Sequence, residues 1–409
     1  MHEGSGSALG IAEGGVAAAE GFSCAGVHCG LKREGRRDLA LVVADDGPAS
    51  AAAVFTTNAV AAAPVIVSRE HLAGGRCRAV VINAGNANAC TGTQGERDAR
   101  LMAEEVAGAL SCVADEVAVC STGVIGVPLP VHLVVAGIAE AVSALDNKSG
   151  DAAAEAIMTT DTFPKQTAVS FDLHGRRITV GGMAKGSGMI APDMATMLGV
   201  ITTDAPLTSE ACGAVLRASV STTFNRVTVD SDTSTNDTVV LMASGAAGGD
   251  TINVTDSAFA QVAEAVRVVS EELARMLARD GEGATKLVSV LVAGAVSDVD
   301  AERAARAVAD SPLVKTALFG RDANWGRVAM AVGKSGAAVD ASKLAITFAG
   351  ILVCENGTAV PFDEARAQQA LSADEVDISV DLGVGDCRAT ILTCDLSYEY
   401  VRINGEYRS

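Results

Sequence analysis

The sequence predicts an α/β protein, and three of its features carry that prediction. Apolar residues fill 49% of the 409 positions but aromatic ones only 3%, so the core must be built from Ala, Val, Leu and Ile. From about residue 38 onward, short branched apolar runs alternate with stretches of helical periodicity. No uninterrupted apolar stretch reaches 18 residues, which argues against a membrane-spanning helix. A chain of this length has room for two or three domains with substantial cores.

The opening MHEGSGSALGIAEGG has neither a basic start nor an apolar centre. It is expected to be a flexible lead-in over residues 1–13 rather than a secretory signal. The runs DLALVV (38–43), AAAVF (51–55) and RAVVIN (78–83) predict strands. QGERDARLMAEEVAGAL (94–110) sets apolar groups at helical spacing behind a charged face. TAVSFDLHGRRITVGGMA (167–184) predicts a β-hairpin turning at His174–Gly175. In MAKGSGMIAPDMATMLGVITTD (183–204), glycine and proline delay regular structure until a strand starts at Thr196. A long helix is expected over 257–279, capped by Ser or Asp and ending before Gly281. Further strands are expected around 374–381, 388–394 and 398–403, with a domain boundary near 285.

Composition excludes several functions. A formal net charge of −19 would repel nucleic acid, and few aromatic side chains are available to stack on bases. Ten scattered cysteines without a CxxC, and no export signal, predict reduced thiols in a cytoplasmic protein. All five histidines (His2, His28, His71, His132 and His174) precede residue 175, and none pairs at HExxH or HxxxH spacing. A helix-borne zinc site is therefore not expected, and no metal is. No GxSxG elbow supports a Ser-His-Asp triad. GSGMIA (186–191) has the letters of a dinucleotide fingerprint, but Pro192 follows at once where that motif needs a helix. DSDTSTND (230–237) resembles the start of a calcium loop, yet Thr235 replaces the required Gly and Leu241 the required Glu. Short polar side chains bonding to their own backbone between two strands explain it better.

With no histidine-based site, ATMLG (195–199) offers a different nucleophile. A threonine hydroxyl needs a base, and an N-terminal threonine carries one in its own α-amino group, with a pKa of about 7.7–8.0. For Thr196 to gain that amine, the Ala195–Thr196 bond has to be broken by attack of its own side chain on the Ala195 carbonyl. Such a shift needs local strain and a donor for the developing oxyanion.

Here the sequence resembles the glutamate N-acetyltransferases, or ornithine acetyltransferases, of the cyclic arginine pathway. The resemblance is carried by AGNANACTG (84–92), STGVIG (121–126), MTTDTFPK (158–165) and KGSGMIAPDMATMLGVITTDA (185–205). TVDSDTSTNDT (228–238), GEGATK (281–286), LFGRDANWGR (318–327) and YVRINGEYRS (400–409) complete it in the expected order. It extends over nearly the whole chain from about residue 14; Cys24 and Cys29 add cysteine near the start, and the first dozen residues have no counterpart.

The resemblance implies cleavage between Ala195 and Thr196 into chains of residues 1–195 and 196–409, assembled as an α2β2 heterotetramer. It implies an αββα sandwich of the DmpA/ornithine-acetyltransferase type, Ntn-hydrolase-like in layout, over 14–285, with a smaller α/β region over 286–409 completing the site. The implied reaction moves an acetyl group from N2-acetyl-L-ornithine to L-glutamate through an ester on Thr196. Thr122 and Gly123 match the family's oxyanion hole. Thr159, Lys185, Thr196, Glu282, Asn404 and Ser409 match its substrate-binding positions. Lys185 is a suitable cation for an α-carboxylate, and Glu282 could attract the ornithine ammonium. Asn83, Asn86, Asn88, Asn324 and Trp325 lie in matching blocks as structural supports. No cofactor is implied. Some members also take acetyl-CoA as donor, and no residue here decides between the two types. A self-processed aminopeptidase or amidase on the same scaffold, with water as acceptor, is the nearest rival. A dinucleotide- or calcium-binding module without cleavage is the rival from another class.

Overall fold

The structure, a computed structural model, describes residues 9–33, 35–190 and 197–406. Three sheets organise them. The first has seven strands in the order Gly10–Ile11, Lys165–Leu173, Arg176–Lys185, Leu198–Thr203, Thr238–Ala243, Ala49–Phe55 and Arg76–Cys77. The second has four: Phe22–Val27, Leu39–Ala44, Ala79–Asn86 and Val117–Val124. The third has six, Thr358–Ala359, Ile351–Glu355, Ala345–Phe348, Glu375–Asp381, Leu287–Ala295 and Cys387–Cys394.

Side-chain alternation stacks the first two sheets. In Thr238–Ala243, Val240 and Met242 join Val42, Val80 and Ile82 in a core between the sheets. Val239 and Leu241 of the same strand face the other way, onto Val215 and Leu216 of helix Ser209–Thr222 and Val266, Val269 and Leu273 of helix Phe259–Arg279. The outer face of the four-stranded sheet meets Met102 and Val106 of helix Gly92–Leu110 and Val134 and Ile138 of helix Val131–Ser143. Helices, sheet, sheet and helices thus form the expected αββα sandwich. Each aliphatic side chain sealed in these layers contributes roughly 1.5–3 kcal/mol, which is how a core so poor in aromatics holds. The third sheet has its own core with helices Asp298–Ala309, Pro312–Phe319 and Trp325–Gly333.

The hairpin turns where expected. His174 and Gly175 both have positive φ, 53° and 78°, as a type I′ turn requires. Its second strand continues to Lys185, beyond where the glycines were expected to stop it. Two expectations are corrected. The long helix begins at Phe259 without a side-chain cap, because Asp256 accepts the Asn253 N–H instead. Residues expected as a strand at 398–403 form helix Tyr398–Glu406, in which Arg402 pairs with Glu399 and Glu406 at 2.7 and 3.2 Å, one turn away on either side. Its alternating aromatics imitate strand spacing, but the helix buries none of its residues. No helix among the described residues is long and apolar enough to cross a membrane.

Candidate acyl-transfer site

The site is assembled where Val117–Val124 leaves the four-stranded sheet. This strand pairs in parallel with Ala79–Asn86, and the register slips at Gly85 and Asn86. The slip brings the Gly85–Asn86 backbone so close to Gly123 that a Cβ there would lie 2.4 Å from the Gly85 carbonyl carbon. Gly123 has φ 129°, so only glycine fits its conformation as well as its space. Asparagines hold the neighbouring turn. Asn83 accepts the Ser121 hydroxyl at 2.6 Å and donates to the Asn86 carbonyl; Asn86 donates to the Val127 and Pro128 carbonyls, and Asn88 to Gly95. Asn324 caps the helix that begins at Trp325.

Lys185 ends the strand Arg176–Lys185 and is 3% exposed. Among the described residues its ammonium donates to one acceptor, Thr122 Oγ1 at 3.3 Å. Burial lowers the Lys185 pKa; Asp161, Asp237 and Glu282 oppose that fall, and Lys165 adds to it. Glu282 lies in the loop between Phe259–Arg279 and Leu287–Ala295, where its N–H donates to the Ser187 carbonyl at 2.8 Å. Its carboxylate accepts from Asn404 Nδ2 at 2.7 Å. A Cβ on Gly188 would lie 2.4 Å from the Glu282 carboxyl carbon, so this glycine of the GSG run makes room for Glu282. Thr159 donates its N–H to Asp161 at 2.8 Å.

Thr122, Gly123, Thr159, Lys185, Glu282 and Asn404 therefore line one cavity of about 70 Å³, with Ser234, Asn236 and Met189 among their neighbours. Two larger clefts, of about 550 and 710 Å³, contain none of these six residues; the chemistry, not the volume, selects the smaller one. Ala195, Thr196 and Ser409 lie outside the described residues. Among the described residues no group of His, Cys, Asp or Glu is arranged to hold a metal ion.

Sequence reasoning missed what DSDTSTND does. It was expected to bond mainly to itself, but its two end carboxylates hold other segments. Asp230 accepts the Met189 and Ile190 N–H groups at 2.6 and 2.8 Å, and Asp237 accepts the Met197 N–H at 2.9 Å. These are the described residues immediately before and after 191–196. Burial pushes the Asp230 carboxyl up to about 6 against those donors, and raises Asp237 well above the usual carboxylate range. Oδ2 of Asp237 has no hydrogen-bond partner among the described residues. Between them, Asn236 bridges the Ala87 and Ser121 carbonyls at 2.6 and 2.8 Å, tying this segment to the strand that carries Thr122.

A layered αββα frame with a small, cation-bearing polar cavity beside its sheet junction defines an α/β protein suited to acyl transfer on a small polar substrate. The ArgJ family model matches residues 23–409, and the chain belongs to that family. It is 50% identical over 398 residues to the arginine biosynthesis bifunctional protein ArgJ of Symbiobacterium thermophilum, covering 97% of this chain and 99% of that one. The protein of the same description from Geobacter sulfurreducens is 49% identical over 391 residues, 95% of this chain and 99% of its own. A crystal structure of ornithine acetyltransferase complexed with ornithine, from Mycobacterium tuberculosis, is 46% identical, covers 46% of this chain and 99% of its own, and has a TM-score of 0.42.

Proposed function

We propose that this chain transfers the acetyl group of N2-acetyl-L-ornithine to L-glutamate through an ester on Thr196, after breaking its own Ala195–Thr196 bond. The observation that supports this best is the convergence of Thr122, Gly123, Thr159, Lys185, Glu282 and Asn404 on one cavity. Asp230 and Asp237 tie both flanks of 191–196 to the same neighbourhood.

In the first half-reaction the Thr196 hydroxyl attacks the acetyl carbonyl and its proton passes to the residue's own α-amine. The Thr122 hydroxyl and the Gly123 N–H stabilise the tetrahedral oxyanion. Thr122 already accepts from Lys185, which leaves its own O–H free to donate. Each such donor is worth about 10²–10³ in rate. The C–N bond breaks, ornithine leaves with the returned proton, and the acetyl group stays on Thr196. Glutamate's amine then attacks the ester to give N-acetylglutamate, and ping-pong kinetics follow. Lys185 pairs with the α-carboxylate; Glu282, oriented by Asn404, receives the ornithine side-chain ammonium; Thr159 and Ser409 complete the substrate set. Acetyl-CoA loading the same hydroxyl accounts for a second activity, in keeping with the relatives' description as bifunctional. The same reading divides the chain at 285/286, assembles the cleaved chains as α2β2 and places the enzyme in the cytoplasm.

Mass spectrometry of purified protein beside a Thr196→Ala variant tests the nucleophile: two fragments in the wild type alone are expected. Transfer assays with and without glutamate separate a transferase from an amidase. An active enzyme that is uncleaved overturns the reading.

A further inference from the structure

The three segments that carry Thr159, Lys185 and Glu282 do not touch merely by packing. They share a buried charge cluster. Lys165 is 0% exposed, and its ammonium donates to Asp161 at 2.6 Å and to Asp280 at 2.5 Å. Asp161 also accepts the Thr159 N–H at 2.8 Å and the Gly186 N–H at 2.7 Å, gripping the residue next to Lys185. Asp280 accepts the Thr162 N–H at 3.0 Å, its carbonyl accepts the Ser187 hydroxyl at 2.5 Å, and the Ser187 carbonyl accepts the Glu282 N–H at 2.8 Å.

A buried ion cluster is poor at adding stability, since desolvation consumes most of the Coulomb gain. Its use lies in what it fixes. We infer that Lys165, Asp161 and Asp280 form a positioning hub, holding Thr159, Lys185 and Glu282 in one constellation and keeping the Lys185 ammonium in register with the substrate carboxylate. This rests on the reading of Lys185 given above. None of the three is itself a catalytic residue. Their coupling to Lys185 is also electrostatic: Asp161 supports its charged form and Lys165 opposes it, while Asp237 and Glu282 support it and Lys32 stands near enough to repel it.

The two directions make the test. The alkaline limb of kcat/KM for acetylornithine should follow loss of the Lys185 charge. Lys165→Met removes a neighbouring cation and should move that limb to higher pH; Asp161→Asn removes an anion and should move it to lower pH. Both should raise KM for acetylornithine by about tenfold or more, as displaced binding groups do. Lys165→Arg should return the limb toward its wild-type position. A purely structural role would lower activity without moving the limb in opposite senses. If Lys165→Met does not fold, Lys165→Gln, which removes the same charge but keeps a hydrogen-bond donor, replaces it with the same expected shift. Loss of fold in both, or limbs fixed at the wild-type pH, overturns the hub. An alkaline limb that survives in Lys185→Met overturns the reading of Lys185 itself, and the inference with it.

Discussion

Two glycines three residues apart, Gly123 and Gly126, should respond to the same substitution with very different losses of rate. Both have positive φ, 129° and 78°. An alanine Cβ at 123 would lie 2.4 Å from the Gly85 carbonyl carbon and 2.6 Å from the Asn86 nitrogen; at 126 it would meet nothing within 4 Å. Ordinary contact begins near 3.4 Å, so Gly123→Ala requires about 1 Å of backbone separation. The partners are main-chain atoms of a paired strand and cannot swing aside. The Gly123 N–H must move with them, away from the oxyanion it is proposed to stabilise. Loss of one such donor should lower the acylation rate about 10²–10³-fold, with about 1–3 kcal/mol of stability lost to overpacking. Gly126→Ala bears only the backbone penalty, about 1–2 kcal/mol, and should keep its rate within about twofold. The assay is the burst of ornithine released when enzyme meets acetylornithine without glutamate, which isolates the first half-reaction, alongside denaturant melts. Equal bursts from the two variants would refute the assignment of Gly123.

Other outcomes follow from the same geometry. Gly188→Ala places a Cβ 2.4 Å from the Glu282 carboxyl carbon. It should break the bond to Asn404 and raise KM for acetylornithine about tenfold at nearly unchanged stability; an unaltered KM removes Glu282 from the substrate set. Burial pushes the Asp230 carboxyl up to about 6 from an ordinary 3.8, so the fold favours its neutral form. That contribution is complete below the ordinary value and is lost as pH rises through about 6. The stability of the wild type relative to Asp230→Asn should therefore fall by about 2 kcal/mol between roughly pH 4 and 6.5; a flat difference in denaturant melts rejects it. All ten cysteines are free and only Cys90 is exposed, while burial pushes Cys24, Cys77 and Cys120 up to about 12. A thiol reagent should label Cys90 first, as peptide mapping of the labelled protein would read.

Much of this was legible in the letters. Branched apolar runs at 38–43, 51–55 and 78–83 located strands Leu39–Ala44, Ala49–Phe55 and Ala79–Asn86, whereas Thr238–Ala243 was not singled out. His-Gly between branched runs identified a turn that needs positive φ twice. The candidate site residues were proposed only through resemblance, since nothing local distinguishes Thr122 or Glu282 from any polar residue near a strand end or in a loop. The hub and the Asp230–Asp237 grip were not legible at all. Apart from the local contacts of Asp161 with Lys165 and Thr159, they depend on partners 25 to 118 residues away, such as Gly186 with Asp161 and Thr162 with Asp280, and sequence spacing carries no information about those. The C-terminal helix was misread because Tyr398, Tyr400 and Arg402 alternate like a strand, while the ion pairs of Arg402 follow the helical period.

The proposed cleavage at Ala195–Thr196 raises the question of what would hold the pieces together, and the topology answers it. Strands Leu198–Thr203 and Thr238–Ala243 belong to the second piece, yet they lie in the middle of the seven-stranded sheet. On one side Leu198–Thr203 pairs with Arg176–Lys185 over six residues, from Leu198↔Lys185 to Thr203↔Val180. On the other, Thr238–Ala243 pairs with Ala49–Phe55 over six, from Thr238↔Phe55 to Ala243↔Ser50. Helix Phe259–Arg279 of the second piece covers Phe171, Ile178 and Val180 of the first. Pulling the pieces apart would break both ladders, each bond worth about 1 kcal/mol net, and open two cores at roughly 1.5–3 kcal/mol per aliphatic side chain. Separation therefore amounts to unfolding. The cleaved enzyme should elute as one species in native gel filtration and show two bands only after denaturation. Fragments that part in native buffer would mean that the strands are not interleaved as the sheet order requires.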